Sequence, residues 1–499
     1  MSFLWSLPSL ALYTLGCKLN QLESESIAGA FRHAGFRVLP WGAEGVVEQN
    51  SGGPDILLVN TCTVTSKAEQ KARRIIRKAL RDHPQALLIV TGCYAQVEQE
   101  RLGALETEVR GTVPDASRLF VVSGDQKSML LDLPRMLSEL PDGVAGWRAD
   151  PAAVLSTLLC PRTAAQTTRP PSPSITQPQE RFRFIPGDFS FHSRAFLKIQ
   201  DGCDKHCTYC RVRLARGPSV SLEAPQVLSA LQALEARGYG EAVLTGVNIS
   251  RYCSGQAPGE LDLAGLLGYL LEGTEHIRLR LSSLEPGPEL AVMKRDFFTV
   301  LAHPRIRPHV HLSVQSGSPR ILEKMGRPYT PQDIEGWVRR FRSVKDDPFV
   351  AGDIITGFPG ETEDAFEETY ELCRRIGFTW IHAFPYSPRP GTEAYLFKEP
   401  VSEREAVARV ERLLGLARQG RRSYIEGWVG RTVEAVVEAY KPEAAGTAAG
   451  VSENYLKLLI TLPQGVAPSP GSLVRCRIRS LPDDADKNPR FDATAEWLV

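Results

Sequence analysis

Three apolar runs near the start of the chain end in the same way. LYTLGC, ILLVNTC and LLIVTGC each read as a strand, and each stops at a cysteine: Cys17, Cys62 and Cys93. After the second run comes SKAEQKARRIIRKALRDH, whose apolar residues recur at helical spacing. LFVVSGD follows the third run as a further strand. Strands alternating with helices imply a parallel α/β sheet. Ligands of open parallel sheets bind outside the carboxyl ends of the strands. Three cysteines at three equivalent strand ends can therefore converge, although isolated thiols also serve as small core hydrophobes.

A chain of 499 residues is too long for one core and predicts about three domains. Residues 9–140 form the first α/β domain. Residues 141–190, including AAQTTRPPSPSITQPQE, lack apolar periodicity and read as a Pro/Ser/Thr-rich linker or insertion. The alternation resumes over residues 191–422. Its strand candidates are AFLKIQDG, EAVLTGVN, IRLRLSSLEP, HVHLSVQSG, FVAGDIITGFPG and WIHAFPYSP. Six strands separated by helices suit a partial or full (β/α) barrel. Residues 423–499 turn strand-rich, with TVEAVVEAY, YLKLLITL and SLVRCRIRSL, and predict a small all-β barrel.

The sharpest motif is DGCDKHCTYC, Asp201 to Cys210, with Cys203, Cys207 and Cys210 spaced C-x3-C-x2-C. Thiolates suit zinc or iron–sulfur clusters. No second C-x2-C follows at zinc-ribbon distance, and His206 is poorly placed to complete a tetrahedral site. A four-iron cluster held by three thiolates leaves one iron open for a small molecule. Of the ten cysteines, Cys160, Cys253, Cys373 and Cys476 lack any such context and are expected to be buried core thiols. The opening MSFLWSLPSLALYTLGC has no basic n-region and is broken by Pro8, so it reads as a lead-in to a strand rather than a signal peptide. No run of about 20 apolar residues occurs. The expected location is the cytoplasm.

The C-x3-C-x2-C motif, with Tyr209 before its last cysteine, closely resembles the radical S-adenosylmethionine (SAM) superfamily. That resemblance implies that the amino and carboxylate groups of SAM bind the open iron. It also implies that an electron from the cluster cleaves SAM to a 5′-deoxyadenosyl radical. Downstream stretches resemble the superfamily's SAM-binding strand ends: LTGVN with Thr245, Gly246 and Asn248, RLSSLEP with Ser283 and Glu285, HLSVQSGS with Gln315, and GDIITGFPGET with Asp353, Ile355 and Gly357.

LGCKLNQLESE, NTCTVT and TGCYAQ resemble the first domain of the methylthiotransferases. The resemblance covers residues 12–140 and 190–499. It implies that Cys17, Cys62 and Cys93 hold a second 4Fe–4S cluster with its own open iron, that one SAM methylates a sulfur there, and that another SAM supplies the radical. GCKLN and CTYCRVRLARGPSVS look like the branch acting on threonylcarbamoyladenosine beside the anticodon of tRNA, with Arg216 near the active mouth. Arg211 to Leu214 depart from that branch's usual residues. The branches acting on isopentenyladenosine or on a ribosomal-protein aspartate stay open as alternatives. So do a non-catalytic iron–sulfur RNA-binding protein and a zinc-binding RNA adaptor. Implied partners are the tRNA anticodon stem-loop, an electron donor such as flavodoxin or ferredoxin, and a sulfur source.

The last segment resembles a TRAM domain, a small RNA-binding barrel. Its charge does not argue for RNA, with eight Lys/Arg against ten Asp/Glu over residues 423–499, and the net charge of the whole chain is only +1. Its basic residues do cluster. Arg475, Arg477 and Arg479 alternate along one strand and should share a face. Arg418, Arg421 and Arg422 form a second patch, and seven basic residues lie between Lys67 and Arg81. Each could meet phosphates or be a solvated surface.

Overall fold

The structure is a computed structural model that describes residues 7–39, 41, 53–111, 117–140, 153–155, 158, 178–185, 194–255, 259–287, 296–439, 445–481 and 490–498. Cys160 and most of the expected linker 141–190 lie outside the described residues. The chain divides into two units. The first comprises residues 1–188 with 202–204 and 210–218, and the second comprises 189–201, 205–209 and 219–499.

The first unit is built on five strands: β1 (Ser9–Thr14), β2 (Arg37–Leu39), β3 (Ile56–Thr61), β4 (Leu87–Gly92) and β5 (Leu119–Val121). They pair in the order β2-β1-β3-β4-β5, all parallel. Buried on both faces, β1, β3 and β4 are near-continuous apolar runs, as central parallel strands are. Helix α1 (Lys18–His33) follows β1, α2 (Ser66–Asp82) follows β3, and the short α3 (Cys93–Val97) follows β4. The Thr65 hydroxyl caps α2 by accepting from the Ala68 N–H at 3.1 Å. Ala72, Ile75, Ile76 and Ala79 form its buried stripe, leaving Lys67, Lys71, Arg74 and Arg81 on the outer side. The segment after Cys210 adds α4 (Val212–Arg216) to this unit.

The second unit begins with β6 (Ala195–Lys198) and a short hairpin, β7 (Gln200–Asp201) with β8 (Val220–Ser221). Next come β9 (Glu241–Thr245), a second hairpin of β10 (Cys253–Ser254) and β11 (Leu261–Asp262), then β12 (Arg278–Leu281), β13 (His309–Gln315), β14 (Phe349–Thr356) and β15 (Trp380–Pro385). Strands β6, β9 and β12 form one parallel sheet, and β13, β14 and β15 form another. Parallel bridges Leu279–Ile306 and Leu284–Leu312 connect them. Six parallel strands thus run in chain order, and among the described residues β6 and β15 do not pair. The arrangement is an open β/α barrel. Helices α5 (Ala224–Ala236), α6 (Leu263–Glu272), α7 (Pro331–Val344) and α8 (Glu363–Ile376) supply crossovers.

Helix α9 (Glu403–Trp428), opened by a Ser402/Glu405 capping box, leads to the last strands. These are β16 (Thr432–Val437), β17 (Thr447–Ser452), β18 (Lys457–Thr461), β19 (Leu473–Ser480) and β20 (Ala493–Trp497), closed as β16-β17-β18-β20-β19. Val433, Ala435, Leu458, Ile460, Cys476 and Ile478 fill this barrel. Strands β17 and β20 lay outside the sequence expectation, because Ala- and Gly-rich TAAGVS carries little strand signal.

The turn between β17 and β18 reaches the end of the open barrel where β9 and β13 begin. There Arg280 donates to the carbonyls of Ser452 and Glu453, both at 3.0 Å. Tyr455, at φ +66°, stacks on His309 with centroids 4.2 Å apart. Cys373 and Cys476 are core thiols as expected. Cys253 is not: it sits exposed in the β10–β11 hairpin, its thiol directed at the Glu260 carboxylate, because a two-strand edge hairpin offers no core to enter.

Candidate active site

Parallel pairing puts the ends of β1, β3 and β4 side by side; Cys62 and Cys93 follow β3 and β4 directly, and Cys17 lies three residues beyond β1. Cys17 is exposed, Cys93 half-buried and Cys62 buried. Glycines make the close approach possible. Gly16 and Gly92 take φ +100° and +102°, where a side chain would be strained. A Cβ on Gly16 would stand 2.6 Å from Cys62 Cβ, and one on Gly92 would stand 2.6 Å from Asn60 Oδ1.

Asn20 fastens the first end: its amide donates to the carbonyls of Leu15 at 2.7 Å and Thr61 at 3.0 Å. The thiols feel one another. Burial pushes Cys62 up to about 12, with Cys93 and Cys17 adding to the rise. Among the described residues no group of three or more Cys, His, Asp or Glu forms a cage for a single ion. Thiolates are the donors that hold iron–sulfur clusters, and a set of three cysteines at neighbouring strand ends fits such a group by its chemistry.

Beside Cys93, three buried charged side chains interlock. Lys127 Nζ lies 2.5 Å from Glu23 Oε2, and Arg216 Nη1 lies 3.0 Å from Glu23 Oε1. The Arg216 Nε–H is directed at Cys93 Sγ, 3.2 Å away. Arg216, which the sequence puts near the active mouth, directs its guanidinium at Cys93, Glu23 and Asn20.

Cys203, Cys207 and Cys210 occupy the loop after β7. In the first unit, the Cys203 N–H bonds to the Gly217 carbonyl at 3.0 Å, and Gly202 at φ +71° has no room for a Cβ beside Pro218. The Val212 N–H donates to Cys210 Sγ at 3.4 Å. In the second unit, the stretch around Cys207 is held by Thr208, whose N–H bonds to the Met325 carbonyl at 3.1 Å and whose hydroxyl bonds to that of Lys324 at 2.8 Å. Burial raises the Cys207 thiol, and Arg327 opposes the rise.

The remaining expected residues lie at the carboxyl ends of the second unit's strands. Thr245 ends β9, and Gly246 packs so closely that a Cβ would meet Gln200 Oε1 at 2.8 Å. Asn248 donates its backbone N–H to Gln200 Oε1 at 2.9 Å and its side-chain amide to Glu285 Oε2 at 2.8 Å. Buried Glu285, two residues beyond half-buried Ser283, also takes Arg327 at 3.2 Å and Lys205 at 3.6 Å. Arg327 donates through Nε to the Tyr209 hydroxyl at 3.2 Å. One carboxylate thus gathers Lys205, Asn248 and, through Arg327, Tyr209. Gln315 ends β13 in the left-handed region at φ +66°. Asp353 accepts from His311 Nε2 at 2.8 Å, Ile355 is buried, and Gly357 at φ +69° would bring a Cβ within 2.5 Å of Ala406.

Residues 9–113 match the Uncharacterized protein family UPF0004, and residues 197–373 match the Radical SAM superfamily. A relative from Treponema pallidum (strain Nichols), the threonylcarbamoyladenosine tRNA methylthiotransferase MtaB, is 42% identical over 95% of this chain and 98% of its own. The chain belongs to the radical SAM tRNA methylthiotransferase family, in its MtaB type. The MtaB of Bacillus subtilis (strain 168) is 31% identical over 94% of this chain and 93% of its own. The tRNA-2-methylthio-N(6)-dimethylallyladenosine synthase of Methylobacillus flagellatus is 31% identical over 88% of this chain and 90% of its own. Among solved structures, the radical SAM methyltransferase TsrM from Kitasatospora setae, with cobalamin and a 4Fe–4S cluster bound, is similar at a TM-score of 0.45 and 16% identity, covering 93% of this chain and 84% of its own.

Membership in the methylthiotransferase family brings 4Fe–4S clusters and SAM as cofactors. Lys205, Gln200, His311 and Arg327 went unnoticed in the sequence of this methylthiotransferase. Arg327 sits in an ordinary turn, MGRPYT, and no spacing signals that it faces Tyr209 and Glu285. At the C-terminal barrel, Arg475, Arg477 and Arg479 are all exposed on β19, with Arg479 paired to Glu496. Arg418 is exposed on α9, whereas Arg421 is tied to Asp492 at 2.6 Å and Arg422 to Glu426 at 3.0 Å. Among the described residues no helix is long and apolar enough to cross a membrane.

Proposed function

We propose that this enzyme methylthiolates C2 of N6-threonylcarbamoyladenosine on the 3′ side of the tRNA anticodon, with one SAM as methyl donor and a second as radical source. The observation that carries the choice of substrate is the 42% identity to the Treponema pallidum relative named for that nucleoside, against 31% to the relative named for dimethylallyladenosine. In this reading Cys17, Cys62 and Cys93 ligate one cluster, and Cys203, Cys207 and Cys210 the other. The clusters and SAM supply a carbon-centred radical and a sulfur donor, the two things an unactivated C–H requires.

The chain's own residues orient and exclude. Tyr209, Thr245, Gly246, Asn248, Ser283, Glu285, Gln315, Asp353, Ile355 and Gly357 contact SAM. The glycines among them admit close backbone approach. Lys205 and Arg327 pair with the buried Glu285 carboxylate and fix its aim. The functional division is 9–140, 141–190, 191–422 and 423–499, with the last part a TRAM-like barrel that grips the anticodon stem-loop through Arg475, Arg477 and Arg479, aided by Arg418. The enzyme works in the cytoplasm with a flavodoxin- or ferredoxin-like electron donor and an external sulfur source.

Mass spectrometry of anticodon-loop nucleosides from cells lacking the chain tests the reading. Loss of the methylthio form of threonylcarbamoyladenosine is expected. Loss of the methylthio isopentenyl nucleoside instead would move the substrate to the second branch.

A further inference from the structure

Arg216, the last residue of α4, turns its side chain inward onto polar partners. Its side chain is 8% exposed. Nε is directed at Cys93 Sγ at 3.2 Å, Nη1 at Glu23 Oε1 at 3.0 Å, and Nη2 at Asn20 Oδ1 at 2.9 Å and Glu23 Oε2 at 3.4 Å. A planar fork held on two edges leaves its third donor fixed in direction. Glu23 is shared with buried Lys127, which also reaches Asn60 Oδ1 at 3.3 Å.

Arg216 and Lys127 therefore both reach the Glu23 carboxylate beside Cys93. Buried cations are costly unless anions lie beside them. A four-iron cluster on three thiolates is such an anion, since the thiolates outweigh the oxidised core's positive charge, and reduction makes it more negative still.

We propose that Arg216 is a positioning residue for the cluster held by Cys17, Cys62 and Cys93: its Nε–H donates to the Cys93 thiolate, and with Lys127 it favours the reduced state of that cluster. A donor hydrogen bond to a ligand sulfur and cationic side chains beside it both raise a cluster's reduction potential. Glu23 and Asn20 set the aim. Arg211, in the same segment, is the internal contrast: it pairs with Glu69 at 3.4 Å and Glu98 at 3.0 Å rather than with a cysteine.

The inference rests on the first cysteine group holding a cluster, and the test separates the two claims. The full chain carrying Cys203→Ala, Cys207→Ala and Cys210→Ala is loaded anaerobically with iron and sulfide, and its midpoint potential is followed by EPR. Adding Arg216→Gln lowers the midpoint, Arg216→Lys gives an intermediate value because it keeps the charge and loses the fork, and Arg211→Gln leaves it unchanged. If the Gln variant does not retain iron, the Lys variant decides: a lowered midpoint supports the role and an unchanged one overturns it. Iron retained throughout with one common midpoint overturns the role of Arg216 alone. A parent triple variant that binds no iron overturns the cluster reading and this inference with it.

Discussion

Arg280 holds both carboxylate oxygens of Glu241, through Nε at 2.6 Å and Nη2 at 2.9 Å, and neither side chain has measurable exposure. Arg307 adds Nε at 2.7 Å to the same carboxylate. Removing one partner of a buried ion pair strands the others in a medium that cannot solvate them. Glu241→Gln should therefore destabilise the second unit by roughly 3–5 kcal/mol. Denaturant unfolding measures this, and a loss below about 0.5 kcal/mol would show that the two arginines find other partners.

The same carboxylate predicts a pH dependence. Burial opposes its ionisation, but Arg280 and Arg307 win, and Glu241 is held down at about 2 against an ordinary value of 4.5. A depressed value means that the folded state binds fewer protons than the unfolded one near pH 3. The stabilisation is complete above about pH 4.5 and is lost as pH falls toward about 2. Unfolding midpoints measured across that window should decline more steeply in the parent than in Glu241→Gln.

Gly16 limits the first cysteine group. A Cβ there would collide with Cys62 at 2.6 Å, on a backbone at φ +100°. Gly16→Ala should leave the sheet folded by circular dichroism while iron falls to about half, from an expected total of about eight per chain. Full iron content in this variant would mean that Cys62 is not a ligand.

The converse loss should come from the loop. Cys203→Ala, Cys207→Ala and Cys210→Ala together should also remove about half the iron and abolish reductive cleavage of SAM. Cleavage that survived in this variant would assign the radical cluster elsewhere.

The β19 face gives a binding prediction. Arg475 and Arg477 are exposed on one side of the strand, as their spacing requires. Changing both to Glu should weaken tRNA binding uniformly across sequences and lower the salt slope by about one for each phosphate that is no longer neutralised. An unchanged slope would move the RNA-binding face off this strand.

What the sequence disclosed and what it withheld divide along physical lines. Strand ends and cysteines were readable because short apolar runs and thiol spacing are local signals: β3 and β4 end one residue before the cysteines of ILLVNTC and LLIVTGC, and β1 ends within LYTLGC, at Thr14. The six strands of the open barrel were readable for the same reason. The buried charge sets were not. Glu241 and Arg307 are 66 residues apart, and Glu23 and Arg216 are 193 apart, so only the folded chain reveals that each needs the other. IRLRLSSLEP drew attention to Ser283 and Glu285, yet its Arg280 is the residue with the most demanding surroundings. Asn20 in GCKLN served as a family marker, while its physical task is to tie the ends of β1 and β3 together and to accept from Arg216.

The turn from Ser452 to Tyr455 changes how the last strands should be manipulated. Its carbonyls receive Arg280, and its tyrosine ring covers His309. Deleting residues 423–499 to ask about RNA would also unroof Arg280, Arg307 and Glu241, exposing a charge cluster that the remaining strands cannot cover. A truncated enzyme without activity would then report a damaged catalytic barrel as readily as a missing RNA grip. Point changes on the outer face of β19 keep the two questions apart.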